Sequence, residues 1–140
     1  MHPSLRIGLV TVPTRDLARS VAFYRDVLGF EEQNTVPEFG RSTLTAGAVR
    51  LGLFIPGMGG GNRRPGGSVG FTLAVDDLGP VYEQLVQRGA SMPNGIFHAD
   101  DGQAWVEVHD PDDNVLKIVQ PAAAHGAGLQ EEGSPAAVEG

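Results

Sequence analysis

Trp105, Glu107 and His109 alternate along the stretch Ala104–His109, and Lys117 follows after a turn. In an extended strand, successive side chains point to opposite faces, so these three share a face with neighbours roughly 7 Å apart. A carboxylate and an imidazole at that spacing can touch one substrate and act as acid and base on a bound carbonyl compound. An indole on the same face can stack on a planar or cationic ligand, and equally on a core or a dimer partner. If the turn pairs His109 with Val115, Lys117 comes opposite Glu107. That pair is either a hydrogen-bonding, locally neutral floor of a site or an ordinary cross-strand ion pair worth under ~1 kcal/mol.

Other reactive chemistry is sparse. The chain has no cysteine, which excludes disulfides, thiolate metal sites and cysteine nucleophiles together. His2 and His125 fall near the chain ends, and His98 and His109 flank the second hairpin region. No pair has the His-x-His or His-x-x-x-His spacing of a metal site, so an isolated strand histidine reads first as polar surface.

The elements that must position these residues follow from pattern. Leu5 to Val12 reads as a buried strand. Asp16 stands where an N-cap belongs, Leu17, Val21, Tyr24 and Leu28 follow at helical spacing, and Gly29 closes the helix. Strands are expected over 31–36, 41–46 and 49–55. The segment from Pro56 to Gly67 is dominated by glycine and proline and reads as a flexible linker. Beyond it the pattern restarts: a strand over 69–75, Asp77 as a second N-cap, Leu78, Val81 and Leu85 as the apolar stripe, and Gly89 as the stop. Strands over 91–98, 104–109 and 115–120 complete the series, the last two joined by the turn Asp110-Pro111-Asp112-Asp113-Asn114. An offset of 61 residues carries Asp16-Leu17 onto Asp77-Leu78 and Thr11 onto Thr72, the mark of an internal duplication.

A hydrophobic fraction of 41% and a charged fraction of 19% over 140 residues suit one globular domain. It is expected to span 1–120, with module one at 5–55, the linker at 56–67, module two at 68–120 and a disordered tail over 121–140. The formal charge of −7 argues against nucleic acid, whose binding depends on Lys and Arg; it accords with a neutral or cationic ligand. Asp112-Asp113 and Glu131-Glu132 read as solubilising charge in a turn and a tail. No apolar run approaches the roughly 20 residues of a membrane span, and the N-terminus lacks signal-peptide organisation, so a cytoplasmic location is expected.

The motif Asp16 to Phe30 (DLxxSxxFYxxxLGF), with the late Asp-Pro-Asp-Asp-Asn hairpin, resembles the vicinal oxygen chelate superfamily over residues 5–120. That superfamily includes glyoxalase I, bleomycin-resistance proteins, extradiol dioxygenases and fosfomycin-resistance enzymes. The resemblance implies an α+β fold of two tandem βαβββ modules, forming a curved mixed sheet around a cleft, and a homodimer. Catalytic members hold a divalent metal with His and Glu on the first and last strands of the modules. At the matching positions this chain carries Leu9, Gly70 and Lys117, and its fourth strand has no acid. An aliphatic chain, a hydrogen and an ammonium cannot ligate a hard cation, so neither metal nor other cofactor is expected.

Ligand contacts are then expected from Leu9, Thr11, Gly70, Thr72, Trp105, Glu107, His109 and Lys117, with Ile7 adding to an apolar wall and Arg63-Arg64 either solvated or swung over the cleft mouth. One function that fits is metal-free binding of an antibiotic or other amphipathic metabolite, as in bleomycin-resistance proteins. Another is a lyase-, isomerase- or dioxygenase-like enzyme using Glu107 and His109 or an atypical metal site. A structural or partner-binding module has no positive feature, although fold alone does not fix function.

Overall fold

The computed structural model describes residues 3–122. Its elements run β1 (Leu9–Pro13), α1 (Leu17–Ala22), β2 (Glu31–Val36), β3 (Arg41–Ala46), β4 (Val49–Phe54), β5 (Gly67–Ala74), α2 (Leu78–Gln87), β6 (Ile96–His98), β7 (Ala104–His109) and β8 (Asn114–Gln120). Two four-stranded sheets result, ordered β1-β4-β3-β2 and β5-β8-β7-β6. Strand β1 runs parallel to β4, and the rest of the first sheet is antiparallel. The same strand order occurs twice, each time with a helix after the first strand. This is the βαβββ duplication expected from the 61-residue offset, and the fold is α+β.

The chain divides into two compact units. One holds the chain up to Val69 together with Asp110–Asn114; the other holds Gly70–His109 and the chain from Val115. The turn of the second repeat is therefore packed within the first unit. The first unit buries Val12, Leu17, Val21, Tyr24, Leu44, Leu51 and Leu53, the apolar stripe of α1 against one face of its sheet. The second buries Leu78 and Leu85 of α2 with Val106, Val108, Leu116 and Ile118, the alternate residues of the last hairpin expected to lie beneath a helix.

The two helix starts differ for a physical reason. Asp16 caps α1, its Oδ1 accepting the Arg19 N–H at 3.1 Å. Asp77 has the same extended backbone but makes no side-chain cap bond. The residue three positions on is Pro80, which has no N–H to offer. The Leu78 N–H is satisfied by Gln120 Oε1 instead, at 2.8 Å. Helix α1 widens into a π turn over Phe23–Val27, where the Leu28 N–H reaches back to the Phe23 carbonyl at 3.2 Å. Gly29 and Gly89 end the helical segments with φ of 84° and 80°, a left-handed conformation that glycine adopts without steric cost.

Several expectations require correction. Strand β1 starts at Leu9, and residues 3–8 have no regular structure; Leu5 and Ile7 are 89% and 71% exposed, so Ile7 forms no apolar wall. The expected strand over 91–98 shrinks to β6 and a single bridge between Ser91 and His109. Asp112 is not solubilising charge, because it is buried, whereas its neighbour Asp113 is exposed. Its carboxylate accepts from Thr14 Oγ1 (2.6 Å), Ser20 Oγ (3.1 Å) and the Arg15 N–H (3.1 Å). A short-range turn motif gives no sign of these partners, which lie more than ninety residues upstream. Residues 123–140, including Glu131, Glu132 and His125, lie outside the described residues, as does His2.

Candidate functional site

The face of the first sheet opposite α1 carries Leu9 and Thr11 from β1, Gly52 and Phe54 from β4, and Thr43 and Arg41 from β3. Register fixes this set, since Thr11 pairs with Gly52, Gly52 with Thr43 and Phe54 with Arg41. Asn34 and Val36 of β2 join it through an irregularity. Glu32 pairs with Leu44 but Asn34 pairs with Thr43, so a bulge at Gln33 separates them. Without it, Asn34 would share the face of Glu32, two residues away; the bulge turns it onto the opposite face.

These residues line a pocket of about 470 Å³, together with Gly59 and Gly60 of the following loop. That volume lies within the usual range of small-molecule sites, about 300–1,000 Å³. Gly52 keeps the floor open: an added Cβ would meet Leu9 Cδ1 at 3.4 Å and Thr11 Cγ2 at 3.5 Å.

The stretch from Pro56 to Gly67 forms no helix and little strand, as its composition requires, yet it is folded rather than splayed. The Met58 N–H bonds the Ile55 carbonyl, and the Gly57 N–H bonds the Gly61 carbonyl at 2.8 Å. Gly60 lies so close to Phe54 that a Cβ would come within 2.8 Å of it. From this loop Arg63 reaches back, its Nη2 donating to the Thr11 carbonyl and, at 3.4 Å, to the Thr11 hydroxyl. Its guanidinium carbon stands 5.7 Å from the Phe54 ring centroid. Of Arg63 and Arg64, Arg63 is thus docked on two residues that line the pocket, Thr11 and Phe54.

The remaining expected site residues belong to the second unit. Trp105, Glu107 and His109 share one face of β7, and Glu107 pairs with Lys117 in register as expected. The ion pair does not form. The Lys117 ammonium lies over the Trp105 ring, 5.1 Å from its centroid, while Glu107 Oε1 accepts from Asn94 Nδ2 at 3.2 Å. Phe97, opposite Trp105 on β6, stacks on the indole at 5.6 Å between centroids and 19° between planes. Gly70 and Thr72 occupy exposed positions of β5. Leu9 and Thr11 thus line the first unit's pocket, and the other six residues belong to the second unit.

The donor set does not fit a divalent metal. Among the described residues no three His, Asp or Glu side chains are grouped to hold one. Leu9, Gly70 and Lys117 offer no ligand at the positions the resemblance singles out, and β4 (VRLGLF) has no acid. Among the described residues no helix is long and apolar enough to cross a membrane.

The profile of the Glyoxalase/Bleomycin resistance protein/Dioxygenase superfamily matches residues 6–118, and the chain belongs to that superfamily. Its fold is similar to a superfamily member from Sphaerobacter thermophilus DSM 20745, with TM-score 0.71 and 25% identity over 83% of this chain and 97% of that one. It is similar in fold to the lactoylglutathione lyase of Agrobacterium tumefaciens (TM-score 0.73, 21% identity, 84% and 95% covered). A glyoxalase/bleomycin resistance protein/dioxygenase from Nocardioides is similar as well (TM-score 0.72, 18% identity, 94% and 93% covered). No curated protein matches the chain.

Proposed function

We propose that the protein binds a small amphipathic molecule, an antibiotic or a metabolite, without a metal. The observation that carries this reading is the pocket of the first unit. Its walls are apolar at Leu9, Val36 and Phe54, a few polar groups converge at Thr11, Asn34, Thr43 and Arg41, and its lining holds no His, Asp or Glu. Apolar walls with a few placed polar groups bind and orient a ligand, and nothing in the lining would recruit a metal to act on it. The Phe97–Trp105–Lys117 face of the second unit, with Phe97 exposed and Trp105 and Lys117 half-buried, is a further surface for planar ligands.

The test is a titration of the chelator-treated protein with a panel of amphipathic compounds, followed by amide shifts and tryptophan fluorescence. Saturable binding at the amides of Thr11, Gly52 or Phe54, unchanged by added zinc, nickel or manganese, is expected. Stoichiometric metal in the purified protein, or binding only after metal is added, would overturn the reading.

The arrangement of Glu107, anchored by Asn94 beside His109 on one strand face, favours acid–base catalysis as a second reading. Loss of turnover in Glu107→Gln with binding retained would support it. A cytoplasmic homodimer completes the proposal. Exposed Leu5, Ile7 and Phe97 provide apolar surface for a partner copy, and light scattering of the full chain tests the assembly.

A further inference from the structure

We infer that the pocket of the first unit selects an anionic ligand, a carboxylate carried on an apolar body, and that Arg63 is the residue that reads the charge. This rests on the binding reading above and names the class of ligand. The chain as a whole is acidic, with 17 Asp and Glu against 10 Lys and Arg, which on its own accords with a cation. The local surface is the reverse. No carboxylate lines the pocket, Arg41 does, and Arg63 is held on two of its lining residues. Arg15, Arg19 and Arg25 are each ion-paired to a carboxylate. Among the described residues Arg41 and Arg63 have no carboxylate partner, and their guanidinium carbons stand 5.8 and 5.7 Å from the Phe39 and Phe54 ring centroids.

The posture of Arg63 suits the role. Nη2 is occupied by Thr11, and the guanidinium plane is steadied beside Phe54. Nε and Nη1 have no protein acceptor among the described residues, which leaves donors for an incoming carboxylate. Thr11 and Phe54 thus orient the fork before ligand arrives, and a fixed donor loses less freedom on binding. The loop that delivers it can lie this close to the sheet only because residue 60 is glycine. Asn34, aimed into the pocket by the β2 bulge, adds a neutral donor that suits the same headgroup, while Leu9 and Val36 take the apolar body.

The test is calorimetric titration of the full chain at low ionic strength with three probes of one shape: phenylbutyrate, its primary amide and phenylbutylamine. Amide shifts at Thr11 and Phe54 locate the binding. The carboxylate should bind at least about tenfold tighter than the amide, because its hydrogen bonds are charge-assisted, and the amine most weakly. Arg63→Gln should bring the carboxylate to the amide's affinity without weakening the amide, a result that also shows the variant is folded. Arg63→Lys should recover part of the preference, and Arg64→Gln should leave it unchanged. Equal affinities, or preference for the amine, would overturn the anion inference and leave the binding reading standing. Failure of all three probes to shift Thr11 or Phe54 at millimolar concentration would overturn both.

Discussion

The Tyr24 hydroxyl donates to Asp110 Oδ2 at 2.7 Å, across 86 residues of sequence. The same carboxylate accepts the N–H groups of Asp112 and Asn114 on Oδ1, at 2.8 and 2.9 Å, and Asn114 Nδ2 on Oδ2. The last hairpin's turn is therefore organised by one buried acid, and the π turn after α1 supplies the donor that the turn cannot. Burial first, then the charge of Asp110, raises the Tyr24 phenol above its ordinary pKa, so the hydroxyl keeps its proton and remains a donor at neutral pH.

Tyr24→Phe keeps the ring and its contacts with Phe23 and Phe30 but leaves a buried carboxylate short of one donor. A loss of about 2 kcal/mol is expected, the usual scale for a hydrogen bond to a charged group. Urea unfolding monitored by circular dichroism measures it. An unchanged midpoint would mean that the Tyr24 bond contributes nothing net.

Asp112 predicts the acid behaviour of the first unit. Burial by itself would raise its pKa, but bonds from Thr14, the Arg15 N–H and Ser20, with the charge of Arg19, outweigh that and lower it. A carboxyl lowered in the folded state stabilises fully above its unfolded pKa, about 3.9, and loses that contribution as pH falls through the folded value. Asp26 is lowered by its bond from Arg25, and Glu32 by bonds from Thr35 and then Arg25. Both are far more exposed than Asp112, so salt weakens their share. Denaturant midpoints should therefore drop below about pH 4 even at high salt, and Asp112→Asn should flatten that drop. An acid limb of the same size in the variant would place the sensitivity elsewhere.

The parts of the molecule that sequence reveals are those governed by local periodicity. Strands β2, β3 and β7 fall on their expected residues, both closing glycines take left-handed φ, and Glu107 pairs with Lys117, because each depends on neighbours or on one turn. Strict alternation does not place Asn34 and Val36 on the pocket face, because a one-residue bulge reverses it without marking the sequence. The cap at Asp77 failed because Pro80 removes its target, a conflict visible only once three positions are considered together. Arg63 was visible as a charge in a glycine-rich stretch, but its docking on Thr11 depends on a contact 52 residues away. Register alone sets Glu107 opposite Lys117, and register does not decide whether a flexible ammonium turns to a carboxylate or to an indole.

Gly60→Ala tests whether the loop is seated on Phe54. The added methyl would need more room than the 2.8 Å separation allows, and over-packing of this kind costs roughly 1–3 kcal/mol unless the loop moves. The loop is at the surface, so displacement is the expected response, with global stability lowered by less than about 1 kcal/mol. Amide exchange across residues 56–66 should then quicken, and carboxylate affinity should fall with it as Arg63 leaves Thr11. Exchange rates equal to the parent's would show that the loop is not held by this contact.

Lys117 provides a direct test of the second unit's geometry. Its ammonium has two candidate partners, Trp105 diagonal to it and Glu107 opposite, and it sits over the indole. Two double-mutant cycles separate them, one pairing Lys117→Met with Trp105→Leu and the other pairing it with Glu107→Gln. The indole cycle should give a coupling of about 0.5–1 kcal/mol, as for a partly exposed cation–π contact. The carboxylate cycle should fall within the ~0.3 kcal/mol expected of independent sites. Lys117→Met should also change the Trp105 emission spectrum, since the charge nearest the ring is removed. Coupling to Glu107 that exceeds coupling to Trp105 would restore the ion pair and turn this face into a neutralised floor. That outcome would weaken the case for an aromatic platform on the second unit while leaving the pocket around Arg63 untouched.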